Sequence, residues 1–77
     1  PVPELPPLRE RIDRAVRQIE ELSLRTGERI ACLEARHQLP WYLHGVAHSV
    51  YYKQQLVHVE SLDELRHIAE GIKRELI

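Results

Sequence analysis

Apolar side chains recur at helical spacing through the first half of the chain. The recurring positions are Leu8, Ile12, Ala15, Ile19, Leu22, Thr26, Ile30, Leu33 and His37. Steps of three or four residues place such positions along one face of a helix. The pattern therefore predicts one long N-terminal helix over about residues 7–38.

Gly27 interrupts this pattern and leaves an alternative open. A glycine destabilises a helix interior by about 1 kcal/mol relative to alanine, and Thr26–Gly27 resembles a helix end. We favour the single helix because the apolar spacing continues past Gly27, and the alternative is a helical hairpin broken there. Pro40 is expected to end the helix, since the residue before a proline is disfavoured in the α region.

Residues 41–59 are rich in aromatic and β-branched side chains, which favour strands. Two apolar runs, Val50–Tyr52 and Leu56–Val59, flank the polar segment 53–55. This arrangement predicts a short β-hairpin or an irregular aromatic segment. The competing interpretation is a helix after Pro40.

A capping-box pattern precedes the last apolar segment. Ser61 stands three residues before Glu64, so its hydroxyl can accept a hydrogen bond from the Glu64 amide. We therefore predict a C-terminal helix over about residues 62–77. The predicted fold class is α+β and mainly helical, with an all-α fold as the alternative. Residues 1–7, which contain four prolines, are predicted to form an extended lead-in to a single small domain at 8–77.

The length of the chain, 77 residues, favours association. A domain of this size hides only about 60% of the surface that its unfolded chain exposes. The single cysteine, Cys32, excludes an internal disulfide and is expected to pack as a small apolar residue. We therefore predict a homodimer, or pairing with a partner helix, through the long helix. The predicted interface residues are Ile12, Ile19, Leu22, Ile30, Leu33 and His37.

The function predicted from these features is a non-enzymatic dimerisation, adaptor or regulatory module. No catalytic or nucleotide-binding motif is visible, and no cofactor is expected. Tyrosine and tryptophan are enriched where proteins bind one another. The candidates for a partner-binding surface are therefore Trp41, Tyr42, Tyr51 and Tyr52.

Two other functions are kept as hypotheses. The aromatic residues lie among Arg36, Lys53 and histidines, as in single-stranded nucleic-acid sites, but the net charge of −1 disfavours that function. His44 and His48 are four residues apart, a spacing that can place two metal ligands on one helix face. Their expected role is nevertheless structural.

The single free thiol of Cys32 and the hydropathy pattern predict the cellular compartment. A single unpaired cysteine is typical of a reducing cytosol. No apolar run approaches the roughly 20 residues of a membrane span. We therefore expect a cytoplasmic protein without a membrane partner.

Overall fold

The computed structural model describes residues 6–76, and these residues form four α-helices. They are α1 (Leu8–Thr26), α2 (Glu28–Tyr42), α3 (Val50–Leu56) and α4 (Leu62–Glu75). No strand occurs within the described residues, so the domain is mainly helical and the α+β prediction gives way to its all-α alternative. Most of the predicted lead-in, residues 1–5, and the last position of the predicted C-terminal helix lie outside the described residues.

Gly27 separates α1 from α2. Its backbone adopts φ 94° and ψ 156°, a conformation that side chains disfavour. The Gly27 amide donates to the carbonyl of Ser23 at 2.8 Å, and its own carbonyl accepts from the Ala31 amide at 3.1 Å. Gln18 and Gln38 line the same groove, which requires α2 to fold back along α1. The single helix over 7–38 is therefore wrong, and the hairpin broken at Gly27 is correct.

Pro40 lies inside α2 rather than after its end. The helix continues to Tyr42, and the Leu43 amide then donates to the Pro40 carbonyl at 3.1 Å. The fixed φ of proline is compatible with helical geometry, and its main cost is one missing hydrogen bond and a crowded carbonyl. That cost falls in the last turn of α2, where the helix is ending in any case.

The β-hairpin predicted within residues 41–59 is also wrong. This segment contains the end of α2, a loop at 43–49 and the short helix α3. The Ser49 hydroxyl stabilises the loop by donating its one hydrogen to the Val46 carbonyl at 2.7 Å, with the Leu43 carbonyl also near, at 3.2 Å. Tyr52 and Leu56, one helical turn apart, are both buried. Helical spacing of buried residues thus prevails over the strand preference of the individual side chains.

The C-terminal helix begins as predicted, because Ser61 accepts a hydrogen bond from the Glu64 amide at 3.1 Å. It packs antiparallel to α1. Lys73 pairs with Asp13 at 2.7 Å, and Arg66 pairs with Glu20 at 2.6 Å. The later residue of α1 thus pairs with the earlier residue of α4, as antiparallel packing requires. The two ion pairs therefore define the register of α1 against α4.

The core lies where α1, α2 and α4 meet, with α3 packed against α2 and α4. All four helices and both longer connections contribute to it. Its buried apolar residues are Ile12, Ala15, Ile19, Ala31, Cys32, Ala35, Leu39, Leu43, Tyr52, Leu56, Val59, Leu65, Ile68, Ala69 and Ile72. The apolar positions at helical spacing in the first half of the chain are thus buried in the protein's own core as far as Ile19.

Replacing Gly27 with alanine should change the free energy of unfolding in opposite directions for a hairpin and for one continuous helix, and it therefore distinguishes them. In the hairpin, alanine must adopt a positive φ, so we expect the free energy of unfolding to fall by about 1–3 kcal/mol. In one continuous helix, the same change would raise it by about 1 kcal/mol. Urea unfolding followed by circular dichroism measures the difference. Thr26→Ala, in the last helical position of α1, is the control and should change stability much less.

Lys73 provides a pH-dependent test of the contact between α1 and α4. Its hydrogen bond to Asp13, with a second to Glu70, raises the pKa of Lys73 above the ordinary 10.5. A raised folded-state pKa contributes stability that is fully present below the ordinary value and is lost as the pH rises through the raised one. We expect Lys73→Met to lower the free energy of unfolding by about 1 kcal/mol at pH 8.

The difference between wild type and Lys73→Met should shrink as urea unfolding is repeated at pH values above 10.5. Lys53→Met, which removes a lysine from α3, is the control and should show no such convergence. A difference between wild type and Lys73→Met that stays constant through this pH range would contradict the assigned pairing.

Candidate interaction surface

Helix α2 carries apolar side chains on two opposite faces. Its inner face consists of Ala31, Cys32, Ala35 and Leu39, all buried against the rest of the domain. Its outer face carries Ile30, Leu33, His37 and Trp41, all exposed. At 100° per residue these four positions fall within one quarter of the helix circumference. We call them the outer stripe.

The outer stripe contains larger side chains than most of the buried face behind it. Ile30 is 50% exposed, Leu33 40% and Trp41 74%, whereas the alanines at 31 and 35 are fully buried. A helix at the surface of a globular domain ordinarily buries its apolar residues and exposes polar ones. Contiguous exposed apolar residues mark interaction sites more often than isolated ones do. The outer stripe is therefore the candidate site.

Charged residues on the two flanks of the outer stripe have opposite signs. Helical geometry places Arg29 and Arg36 on one flank and Glu34 with Gln38 on the other. The Gln38 amide donates to the Glu34 carboxylate at 2.6 Å. The outer stripe is thus bordered by a basic edge and an acidic edge.

At the N-terminal end of the stripe, a groove of about 520 Å³ lies between α1 and α2. Leu22 and Ile30 contribute apolar surface to it, and Gln18, Glu34 and Gln38 contribute polar groups. Leu22 is half-buried and packs against the core. The apolar surface therefore extends from α2 onto the end of α1.

At the C-terminal end, a second groove of about 320 Å³ lies between α2 and α3. We call it the Trp41 groove. It is lined by Arg36, His37, Pro40, Trp41, His44, Lys53 and Val57. The ring of His44 lies 5.8 Å from that of Trp41, with the two planes tilted by 42°. No carboxylate lines this groove.

The six predicted interface residues do not lie on one surface. Ile12 and Ile19 are buried in the core of the same chain, where no partner can reach them in the folded domain. Leu22 is half-buried, while Ile30, Leu33 and His37 are exposed. The turn at Gly27 divides the stripe in this way, because α2 turns a different face toward the core.

The four aromatic candidates are also divided. Trp41 is exposed in its groove, and Tyr42 is half-buried against the core. Tyr51 and Tyr52 contact each other edge to face, with ring centroids 5.2 Å apart, and line a separate pocket with Gly71. Interaction with the Glu75 carboxylate, together with desolvation, raises the pKa of the Tyr52 hydroxyl. Tyr52 therefore stabilises the contact between α3 and α4.

The remaining candidate residues offer no reactive centre. His44 and His48 are exposed in the loop at 43–49 rather than on a helix face. Among residues 6–76, no three histidine, cysteine or acidic side chains are grouped to hold a metal ion. Cys32 is buried as predicted, and desolvation, with the nearby charge of Glu28, raises the pKa of its thiol. A raised pKa keeps the thiol protonated and weakly nucleophilic.

Sequence reasoning missed three residues of this surface, Arg29, Glu34 and Val57, and considered Lys53 only for a nucleic-acid site. Arg29 and Glu34 could have been found, because they flank the apolar positions at 30, 33 and 37 as the charged positions of a coiled-coil heptad do. Val57 could not, because the predicted hairpin gave no reason to bring it beside Trp41. Only the helical conformation of α3 does so.

Comparison of this chain with protein-family models, with curated proteins and with solved structures finds no match.

None of the helices within residues 6–76 combines the length and the apolar character needed to cross a membrane.

Proposed function

We propose that this domain is a non-enzymatic protein-interaction module that forms a homodimer through the outer stripe of α2. The observation that carries the proposal is the exposure of Ile30 and Leu33 beside Trp41, on a helix whose other face is already buried. Burying exposed apolar surface is the main driving force for most protein association.

The charges on the flanks favour a second copy of the chain as the partner. In heptad notation Ile30 and His37 occupy a positions, Leu33 occupies a d position, and Arg29 and Glu34 occupy consecutive g and e positions. In a parallel pair of helices, a g residue faces the e residue five positions later in the partner. Arg29 of one copy then faces Glu34 of the other, twice in a symmetric dimer.

The same charges disfavour the antiparallel arrangement. There the g edges of the two helices meet each other, so that Arg29 faces Arg36 across the interface, and like charges repel. The proposed dimer is therefore parallel, and each residue of the outer stripe lies close to the same residue of the second chain.

The size of the stripe predicts a weak dimer. The a and d positions span little more than one heptad before Pro40, and stable complexes bury about 1,200–2,000 Å² in total. We therefore expect dissociation in the micromolar range. A weak and reversible association of this kind suits an adaptor or regulatory module.

Replacing Leu33 with glutamate should abolish the dimer while leaving the fold intact. Leu33 lies at the centre of the proposed interface, where a single residue contributes about 2 kcal/mol or more. We expect the dimer dissociation constant to rise about thirtyfold or more. Sedimentation equilibrium over a range of micromolar concentrations measures the change.

Leu24→Glu is the matched control for Leu33→Glu. Leu24 is a more exposed leucine, at 88%, and lies on the face of α1 opposite to its buried residues. Its replacement should leave the dimer dissociation constant unchanged. A chain that is monomeric throughout, or a Leu33→Glu variant that dimerises like wild type, would overturn the proposal.

A charge exchange between Arg29 and Glu34 tests the parallel orientation. Arg29→Glu and Glu34→Arg each place like charges opposite each other, and each should weaken the dimer about fivefold, since two surface pairs are lost. The double variant restores both pairs and should return the affinity to near wild type. Sedimentation at low ionic strength measures all four proteins.

The antiparallel arrangement gives the opposite result for one of these variants. There Arg29→Glu relieves the repulsion with Arg36 and should tighten the dimer. Tightening by Arg29→Glu, or additive weakening in the double variant, would contradict the parallel dimer even if the outer stripe is the interface.

A further inference from the structure

The Trp41 groove has a charge pattern that differs from that of the whole chain. The chain has 12 acidic and 11 basic residues, so its charges nearly balance. The groove contains Arg36 and Lys53, two histidines and no carboxylate. Its positive character therefore arises from the way α2 and α3 are packed, and it favours an anionic ligand.

Arg36 is held in a defined position. Its Nε donates to the Val59 carbonyl at 2.8 Å, which fixes the guanidinium against the connection between α3 and α4. Within residues 6–76, its two terminal nitrogens have no further hydrogen-bond partner. A guanidinium anchored through Nε can still donate from both terminal nitrogens to the two oxygens of a carboxylate. Lys53, across the groove, forms no ion pair with any described residue and supplies a second positive charge.

The centre of the groove is apolar. Trp41 is 74% exposed and has Pro40 and Val57 beside it. A volume of about 320 Å³ accommodates one large side chain rather than an extended ligand. A ligand that fits this site therefore has an apolar side chain with anionic groups close to it on either side.

We propose that the Trp41 groove binds an acidic peptide segment that carries a leucine-like side chain between carboxylates. The apolar side chain contacts Trp41, Pro40 and Val57, and the carboxylates pair with Arg36 and Lys53. A peptide is favoured over single-stranded nucleic acid for two reasons. The groove has one large aromatic ring, that of Trp41, with the His44 imidazole beside it, instead of a longer series for successive bases. The protein also lacks the strong basic excess of nucleic-acid-binding domains, with a pI of about 6.6.

Trp41 is the only tryptophan of the chain, so its fluorescence reports directly on the groove. The probe is a short acetylated and amidated peptide with one central leucine and glutamate at all of the remaining positions. We expect a saturable change in Trp41 emission with this peptide. Peptides with serine in place of leucine, or glutamine in place of glutamate, should each bind about tenfold more weakly.

Variants with matched controls assign binding to the groove. Lys53→Glu should weaken binding of the probe peptide about tenfold, and the milder Lys53→Gln should have an intermediate effect. Arg14→Glu makes the same charge change at an exposed position of α1 and should affect peptide binding only through the small change in the net charge of the protein. Circular dichroism establishes that each variant is folded.

The apolar part of the groove has its own pair of variants. Val57→Ser should weaken peptide binding, and Val50→Ser should not, because Val50 is exposed outside the groove.

Peptide binding goes beyond the proposed dimer. Because Trp41 and His37 belong to both the outer stripe and the groove, we expect the peptide to bind in competition with dimerisation. The titration is repeated with Leu33→Glu, in which the proposed interface is disrupted, and we expect this variant to bind the peptide at least as tightly as wild type. The absence of a saturable fluorescence change would overturn the peptide site without affecting the dimer. Equal effects of Lys53→Glu and Arg14→Glu, or tighter binding of oligothymidylate than of the peptide at the same ionic strength, would also overturn it.

Discussion

The turn at Gly27 is the constraint on which the arrangement of the domain depends. With φ at 94° the chain reverses between α1 and α2, and the two helices pack side by side instead of continuing as one rod. Each helix then needs its own inward face. Ile12 and Ile19 remain inside, whereas Ile30 and Leu33, which continue the same sequence stripe, point away from the core. A single backbone conformation thus converts one apolar stripe into a core and an exposed surface.

The small residues of α2 complete this division. Ala31 and Ala35 are fully buried, and their short side chains allow α2 to lie close to α1 and α4. Leu39 is the one large aliphatic residue on the inner face of this helix, and Ile30, Leu33 and Trp41 lie on the outside. The domain therefore closes its own core and still presents apolar surface, which is the physical basis for proposing that association is its function.

Polar contacts between distant parts of the chain define the position of the other helices. Asp13–Lys73 and Glu20–Arg66 align α4 with α1, and the Arg36 hydrogen bond holds the chain between α3 and α4 against α2. Ion pairs between exposed or partly buried side chains contribute only about 1 kcal/mol or less individually, so the main consequence of these two pairs is register. That register brings α3 beside the end of α2 and creates the groove at Trp41. The exposed surface and the groove are thus both consequences of how α2 is packed.

The sequence by itself determined the local features of this protein. Helical spacing identified most of α1 and α4, and the spacing of Ser61 and Glu64 identified the start of α4, because these signals depend on residues within one or two turns. Gly27 was recognised only as the break of the alternative hairpin and not of the favoured single helix, because its conformation depends on whether α2 gains more by packing on α1 than by extending it. The strand-like residues around Tyr52 became helical because the core offered buried positions one turn apart. Only the tertiary structure decided which apolar residues stay exposed, since burial depends on which helices meet, and that is a property of the whole chain.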